Sequence, residues 1–210
     1  MSISCYILDH ENSRQYTEDL TKRISPHHHT VYDSSKHKTS FTTSFNRSLM
    51  AYLSFKEEND WVMVCNNDID LDSIKFNEIE KYMACVPPGI YSPLVSSFHE
   101  FMFTKFKEYP FRSTPWIEFV CPIIHTSVIE SIGFLDSKLT LGYGIDLDYC
   151  FRARSLGYGV NLLQNVFVNH YGHKSQSNRK EYNTQAVLEM ENVLLQKYGS
   201  NWKTELFWNH

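Results

Sequence analysis

The chain has 210 residues and a formal net charge of −4, from 24 acidic and 20 basic side chains. That length supports one substantial domain rather than two, and 42% apolar with 15% aromatic residues is a globular, not a disordered, composition. Net acidity argues against a protein whose main task is gripping a phosphate backbone, and no apolar run reaches the roughly 20 residues of a membrane span.

Residues 1–10 lack the basic start and long apolar core of a signal peptide, so a soluble cytoplasmic protein is expected. The five cysteines, Cys5, Cys65, Cys85, Cys121 and Cys150, are odd in number and contain no Cys-x-x-Cys pair. They are expected to be buried thiols rather than a disulfide framework or a zinc site. Two local basic clusters, residues 27–29 with 36–38 and His173, Lys174, Arg179 and Lys180, read as solvated loops or as small patches for an anionic ligand.

In chain order, residues 2–8 are a short apolar run suited to a buried strand, and Tyr16, Leu20 and Ile24 recur at helical spacing until Pro26. Residues 30–32 can form a second strand ending at Asp33, and Phe45, Leu49 and Leu53 mark one face of another helix. Trp61-Val-Met-Val-Cys65 is continuously apolar, as a central parallel strand should be, and the polar Asn66-Asn-Asp68 begins at its carboxyl end. A helix over 74–83 and an extended segment over 89–95 follow, whereas residues 98–116 are dense in aromatics without one clear period. Ser127 and Glu130 fit a capping box before a helix stopped by Gly133. A helix from about Asp146 to Leu156 closes at Gly157, residues 160–163 and 166–168 read as extended, and Val187, Leu194 and Tyr198 mark a last helix ending at Gly199. This alternation predicts an α/β fold with a mainly parallel central sheet flanked by helices.

Three features carry chemistry. In an extended segment Asp68 and Asp70 point to the same side, so both can reach one hard cation, or one can bind it while the other is oriented through water. Asp146 opens a helix behind Gly142-Tyr-Gly144; it is either a helix cap or a carboxylate presented at a loop tip to a substrate. His170 follows an apolar strand, and a neutral imidazole there can ligate a metal, with His173 a near competitor.

Ile132-Gly-Phe-Leu-Asp136, Gly142-Tyr-Gly-Ile-Asp-Leu-Asp148 and Arg152-Ala-Arg-Ser-Leu-Gly157 together resemble the signature of the family 2-like glycosyltransferases of the GT-A fold. Trp61-Val-Met-Val-Cys-Asn-Asn-Asp68 is similar to that family's strand leading into its metal-binding Asp motif. The resemblance implies one GT-A domain over 1–210: a nucleotide-sugar half over 1–86, an acceptor and catalytic half over 87–175, and a C-terminal helical segment over 176–210. It implies that Asp68 is the principal carboxylate for Mn2+ or Mg2+, assisted by Asp70 or Asn66, with His170 close to metal and diphosphate. Asp33 matches the residue that recognises the nucleotide base, Asn46 an Asn near the nucleotide, and Asp146 the base that activates the acceptor. The chain departs from the pattern at Ile145, where the family's usual Glu is missing, and at Asp9-His-Glu-Asn12, which replaces a Pro-Thr-Tyr-Asn type sequence.

The implied activity is inverting transfer of a hexosyl or pentosyl unit from a nucleotide-diphosphate sugar to an acceptor hydroxyl. A saccharide is the default acceptor, and a hydroxylated DNA base is an option that the basic clusters favour and the net acidity opposes. A nucleotidyltransferase is a rival within catalysis, but residues 9–14 are not the Gly-rich basic loop it needs. A noncatalytic sugar-nucleotide or nucleic-acid binding module is the rival from another class.

Overall fold

A computed structural model describes residues 3–9, 14–24, 29–33, 40–55, 60–96, 110–171 and 179–207, with the backbone alone for His29, Tyr32, Asp33 and Arg179. Strands β1 (Ile3–Asp9), β2 (His29–Asp33), β3 (Trp61–Asn66), β4 (Gly89–Val95), β5 (Phe111–Ser113), β6 (Ile123–His125) and β7 (Gly159–Val168) form one sheet in the order β2-β1-β3-β6-β4-β7-β5. The pairs β1·β2, β1·β3 and β4·β7 are parallel, whereas β6 runs antiparallel to both its neighbours and β5 antiparallel to β7. β1, β2, β3, β4 and β7 therefore point one way, and the short β5 and β6 oppose them.

The apolar runs of β1 and β3 reflect burial on both faces. Tyr6, Leu8, Val62 and Val64 face one core, with Phe45 and Leu49 of α2 (Phe41–Phe55), Val128 of α4 (Thr126–Ile132) and Leu147 of α5 (Ile145–Ser155). Alternate residues Cys5, Ile7, Met63 and Cys65 face the other, with Leu20 and Ile24 of α1 (Arg14–Ile24) and Phe76 and Ile79 of α3 (Ser73–Met83). The period-2 alternation of a strand thus feeds two cores, giving helix, sheet and helix layers. Helices α6 (Arg179–Tyr198) and α7 (Trp202–Phe207) close the first of these through Leu194, Trp202 and Leu206. No described helix is long and apolar enough to cross a membrane.

Several local expectations are corrected. The capping box at Ser127 does not form: α4 starts earlier, and the His125 Nδ1 accepts from the Ser127 amide at 3.1 Å as its N-cap. Asp146 is not the cap of α5 either, because Gly144, at φ 78°, occupies that position without a side-chain bond. Residues 160–163 and 166–168 belong to one strand, β7, whose register against β4 jumps between Pro93 and Leu94, where the proline has no N–H to offer the ladder. Among the cysteines, Cys85 is exposed and the other four are buried, all of them free. Residues 97–109, most of the aromatic-rich stretch, lie outside the described residues, as do 34–39, 172–178 and their basic side chains.

Candidate active site

The order β2-β1-β3 creates a switch point, because the chain leaves β1 to one side for β2 and lies on the other side at β3. Ligands of open α/β sheets bind outside the carboxyl ends of strands at such a point. Asp9 ends β1 and Asn66 ends β3, and both carboxyl ends are polar. Asn67 is buried and donates to Asp9 Oδ1 at 3.1 Å and to Thr17 Oγ1 at 2.8 Å, while Thr17 donates to Asp9 Oδ1 at 2.8 Å. This triad ties both strand ends to α1 and aims the next residue, Asp68, outward. Asp33 ends β2 in register with Asp9; its side chain is outside the described residues.

β7 supplies the facing wall. Beyond Val168, Asp70 N donates to Asn169 O at 2.8 Å and Tyr171 N to Asp68 O at 2.9 Å, forming a bridge between Ile69 and His170. It brings His170 Nε2 to 3.1 Å from Asp68 Oδ1, with the two side chains 8% and 18% exposed. Two ligands in neighbouring octahedral positions about 2.1 Å from a small divalent ion lie about 3.0 Å apart, so this pair fits one edge of such a site. Asn66 Oδ1, two residues before Asp68, is buried and finds no hydrogen-bond partner among the described residues.

Asp70 has different partners. Its Oδ1 is ion-paired with Lys75 Nζ and its Oδ2 accepts from Asn169 at 3.0 Å. Lys75 also donates to the Asp70 carbonyl at 2.8 Å, and Arg23 Nη2 donates to the Ile69 carbonyl at 3.0 Å. Two cations therefore fix the backbone just after Asp68, at the Ile69 and Asp70 carbonyls. Among the described residues no three His, Cys, Asp or Glu side chains converge as a metal cage. A small hard ion does not need one, since it is commonly held by one or two carboxylates together with substrate phosphates.

The segment before β6 links this pair to Asp146. The Val120 carbonyl accepts from Asn66 N at 2.8 Å, and the Phe119 ring packs edge-on against Tyr149 of α5 at 5.8 Å between centroids. Asp146 lies in the first turn of α5 and keeps partial solvent access. Desolvation nevertheless pushes its pKa up to about 7, opposed by the Leu147 amide, which donates to Oδ1 at 2.9 Å, and reinforced by the like charge of Glu118. Solvent access with strong desolvation is what a carboxylate on the floor of a concavity experiences. The neighbouring Asp148 has turned inward: fully buried, it accepts from Arg152 Nε at 2.9 Å, Lys197 Nζ at 2.6 Å and the Tyr198 hydroxyl at 2.7 Å. Asn46 is committed to Leu135, donating to its carbonyl at 3.0 Å and accepting from its amide at 2.9 Å, which pins α2 to the loop before α5.

Sequence reasoning missed Lys75, Asn169, Arg23, Glu118 and the Asp9–Thr17–Asn67 triad. Only the placement of Lys75 and Arg23 on helices flanking the Asp motif offered a signal.

A sheet of this order, carrying an acidic motif after its third strand and a histidine after its last long one, is the GT-A fold. Among solved structures the chain is similar to residues 1–349 of TarS from S. aureus, at a TM-score of 0.60 and 12% identity over 98% of this chain and 70% of that one. It is similar to the mannosyltransferase PcManGT from Pyrobaculum calidifontis in complex with GDP-Man and Mn2+, at 0.65 and 9% over 92% and 64%. GalNAc-T7 with UDP, GalNAc and Mn2+ aligns at 0.62 and 8% over 96% and 50%. Identities this low establish the fold. No protein-family model matches the chain. Uncharacterised proteins of Mycobacterium bovis and Mycobacterium tuberculosis are 30% identical over 67 residues, 31% of this chain and 26% of each relative. The match thus spans about a quarter of those relatives' length.

Proposed function

We propose that the chain is a divalent-metal-dependent glycosyltransferase that moves a hexosyl or pentosyl unit from a nucleotide-diphosphate sugar to an acceptor hydroxyl, with inversion. The observation that carries this reading is the Asp68–His170 pair at the switch point, 3.1 Å apart, linked through residues 117–120 to a carboxylate raised to about 7. The bound donors and Mn2+ of PcManGT and GalNAc-T7 support it by analogy of fold.

Asp68 and His170 are assigned to hold Mn2+ or Mg2+, with Asp70 assisting by orienting the motif through Lys75 and Asn169. The ion would supply Lewis-acid stabilisation of the diphosphate as it leaves. Asp33 is assigned to the nucleotide base, and Asn46 to the donor side through its grip on Leu135. Asp146 takes the acceptor hydroxyl proton as that oxygen attacks the anomeric carbon. A base with a pKa near 7 suits this, because it is substantially ionised at neutrality yet a better proton acceptor than an ordinary carboxylate. With the base on the acceptor side and the diphosphate held at Asp68, attack comes from the face opposite the leaving group.

The test is release of nucleoside diphosphate from a panel of UDP-, GDP- and dTDP-sugars, with Mn2+, with Mg2+ and with EDTA. Asp68→Asn is expected to weaken metal-dependent donor binding by tenfold or more, and Asp146→Asn to keep donor binding while turnover falls by orders of magnitude. Unchanged product formation in both variants rejects the site. Donor binding without turnover in the parent protein points to a noncatalytic module instead.

A further inference from the structure

The loop that enters α5 takes its position from α6. Glu189 accepts from Leu141 N at 2.8 Å and from Thr140 Oγ1 at 2.5 Å. The Tyr182 hydroxyl donates to Leu141 O at 2.6 Å, and the Tyr143 hydroxyl to Asn183 Oδ1 at 3.1 Å. At the N-cap, a Cβ added to Gly144 would lie 2.6 Å from Met190 Cγ, so α6 backs directly onto the start of the helix that carries Asp146. From the other side the Thr42 hydroxyl donates to Leu139 O, and Gly142 packs on the Phe41 ring. The loop is clamped between α2 and α6, where Glu189 holds residues 140–141 and Lys197 pairs with Asp136 at 2.9 Å further back.

We propose that Glu189 is a positioning residue for Asp146: by accepting the Leu141 amide and the Thr140 hydroxyl together, it fixes the loop whose end is the first turn of α5. This inference rests on the reading of Asp146 as the acceptor base. Hydrogen bonds to an ionised acceptor are roughly twice as strong as neutral ones, and two of them on adjacent residues remove the loop's freedom to hinge. A base must stand within hydrogen-bond reach of the proton it removes, and a displacement of about 1 Å at a reacting group costs on the order of 100-fold in rate. Among the described residues Glu189 hydrogen-bonds Thr140 and Leu141 rather than Asp146 or a group assigned to the donor. Its effect belongs in turnover, not in donor affinity.

The test compares Glu189→Ala with Glu189→Gln. The Gln side chain can accept from Leu141 N through its oxygen and donate to Thr140 Oγ1 through its nitrogen, so it is the rescue. In the Ala variant amide hydrogen exchange is expected to accelerate over residues 139–147 and to stay unchanged in β1 and β3, with the Gln variant close to the parent. With the donor selected by the panel above, the Ala variant is expected to lose about 10- to 100-fold in kcat, with the donor KM within about twofold. In an Asp146→Asn background it should cause no further loss, since it acts through that carboxylate. Unchanged exchange over 139–147 overturns the proposal, as does unchanged kcat in the Ala variant or a loss that multiplies with that of Asp146→Asn. An Asp146→Asn protein with full turnover overturns the base assignment, and the exchange data then still decide whether Glu189 holds the loop.

Discussion

Replacing Asp146 by Asn should stabilise the protein at alkaline pH, by an amount that follows from the environment of the carboxyl. Its pKa rises from 3.8 to about 7, chiefly by desolvation, a shift of about 3 units and, at 1.36 kcal/mol per unit, about 4 kcal/mol. The folded protein then holds this proton more tightly than the unfolded chain. Stability therefore falls as pH rises from about 4 to about 7 and levels off above that. The Asn variant lacks this slope. Its stability minus that of the parent should be small near pH 4, climb through the window and reach a plateau of up to about 4 kcal/mol by pH 8. The full value is an upper bound, because Asp146 keeps partial solvent access. Urea unfolding of both proteins in EDTA at half-unit steps from pH 4 to 8.5 measures the difference, and other titrating groups cancel in it. A difference that does not change with pH would refute the desolvated carboxylate, and with it the physical basis for a base tuned to neutrality. The same substitution that stabilises the fold is expected to abolish turnover, the usual trade at a site held in a costly state.

Asp148→Ala should do the opposite. It removes a fully buried acceptor of Arg152, Lys197 and Tyr198, while Arg152 keeps the Ile132 and Phe134 carbonyls and Lys197 keeps Asp136. The cost should therefore lie at or below about 3 kcal/mol, or up to roughly 6–12 °C in melting temperature for a domain of this size, measured by calorimetry. Asn46→Ala leaves the Leu135 amide and carbonyl without their partner and should cost about 1–3 kcal/mol in urea unfolding, with donor affinity falling alongside if the loop before α5 faces the nucleotide. Gly144→Ala meets both a φ of 78° and the Met190 side chain. It should lose more than about 1–2 kcal/mol in the same assay, and a neutral result would mean that α6 does not press on the α5 N-terminus.

The fold was legible wherever an element carried its own period or punctuation. β1 and β3 announced themselves as unbroken apolar runs, and α1 and α2 as helical recurrences whose Leu20, Ile24, Phe45 and Leu49 the structure buries. Of the residues that marked α6, Leu194 is buried, Tyr198 partly buried and Val187 exposed. The three-residue strands β5 and β6 and the six-residue α7 were not legible, because so short a segment holds no period and is made by its neighbours. Strand order was equally hidden. β6 slots between β3 and β4 through pairings such as Trp61 with His125 and Ile90 with Ile124, partners far apart in the chain.

At the candidate site, sequence singled out candidate residues but not their pairings. Asp68, Asp146 and His170 stood out because each is a polar group at the end of an apolar strand or behind a Gly-rich turn. The Asp-x-Asp spacing argues for two carboxylates on one side only if the strand continues. Here β3 ends at Asn66, and Ile69 instead bridges to His170, so Asp68 meets the imidazole while Asp70 meets Lys75 and Asn169. One pairing across about a hundred residues of chain thus assigns two chemically identical side chains different work. Asp146 and Asp148 repeat the pattern two residues apart on a helix: Lys197 and Tyr198 of α6 hold Asp148 in the core, and Asp146 keeps partial solvent access. In both cases the partners of one carboxylate commit it to the scaffold, Lys75 and Asn169 for Asp70 and Arg152, Lys197 and Tyr198 for Asp148; Asn169, Lys197 and Tyr198 lie far along the chain, where local spacing does not reach.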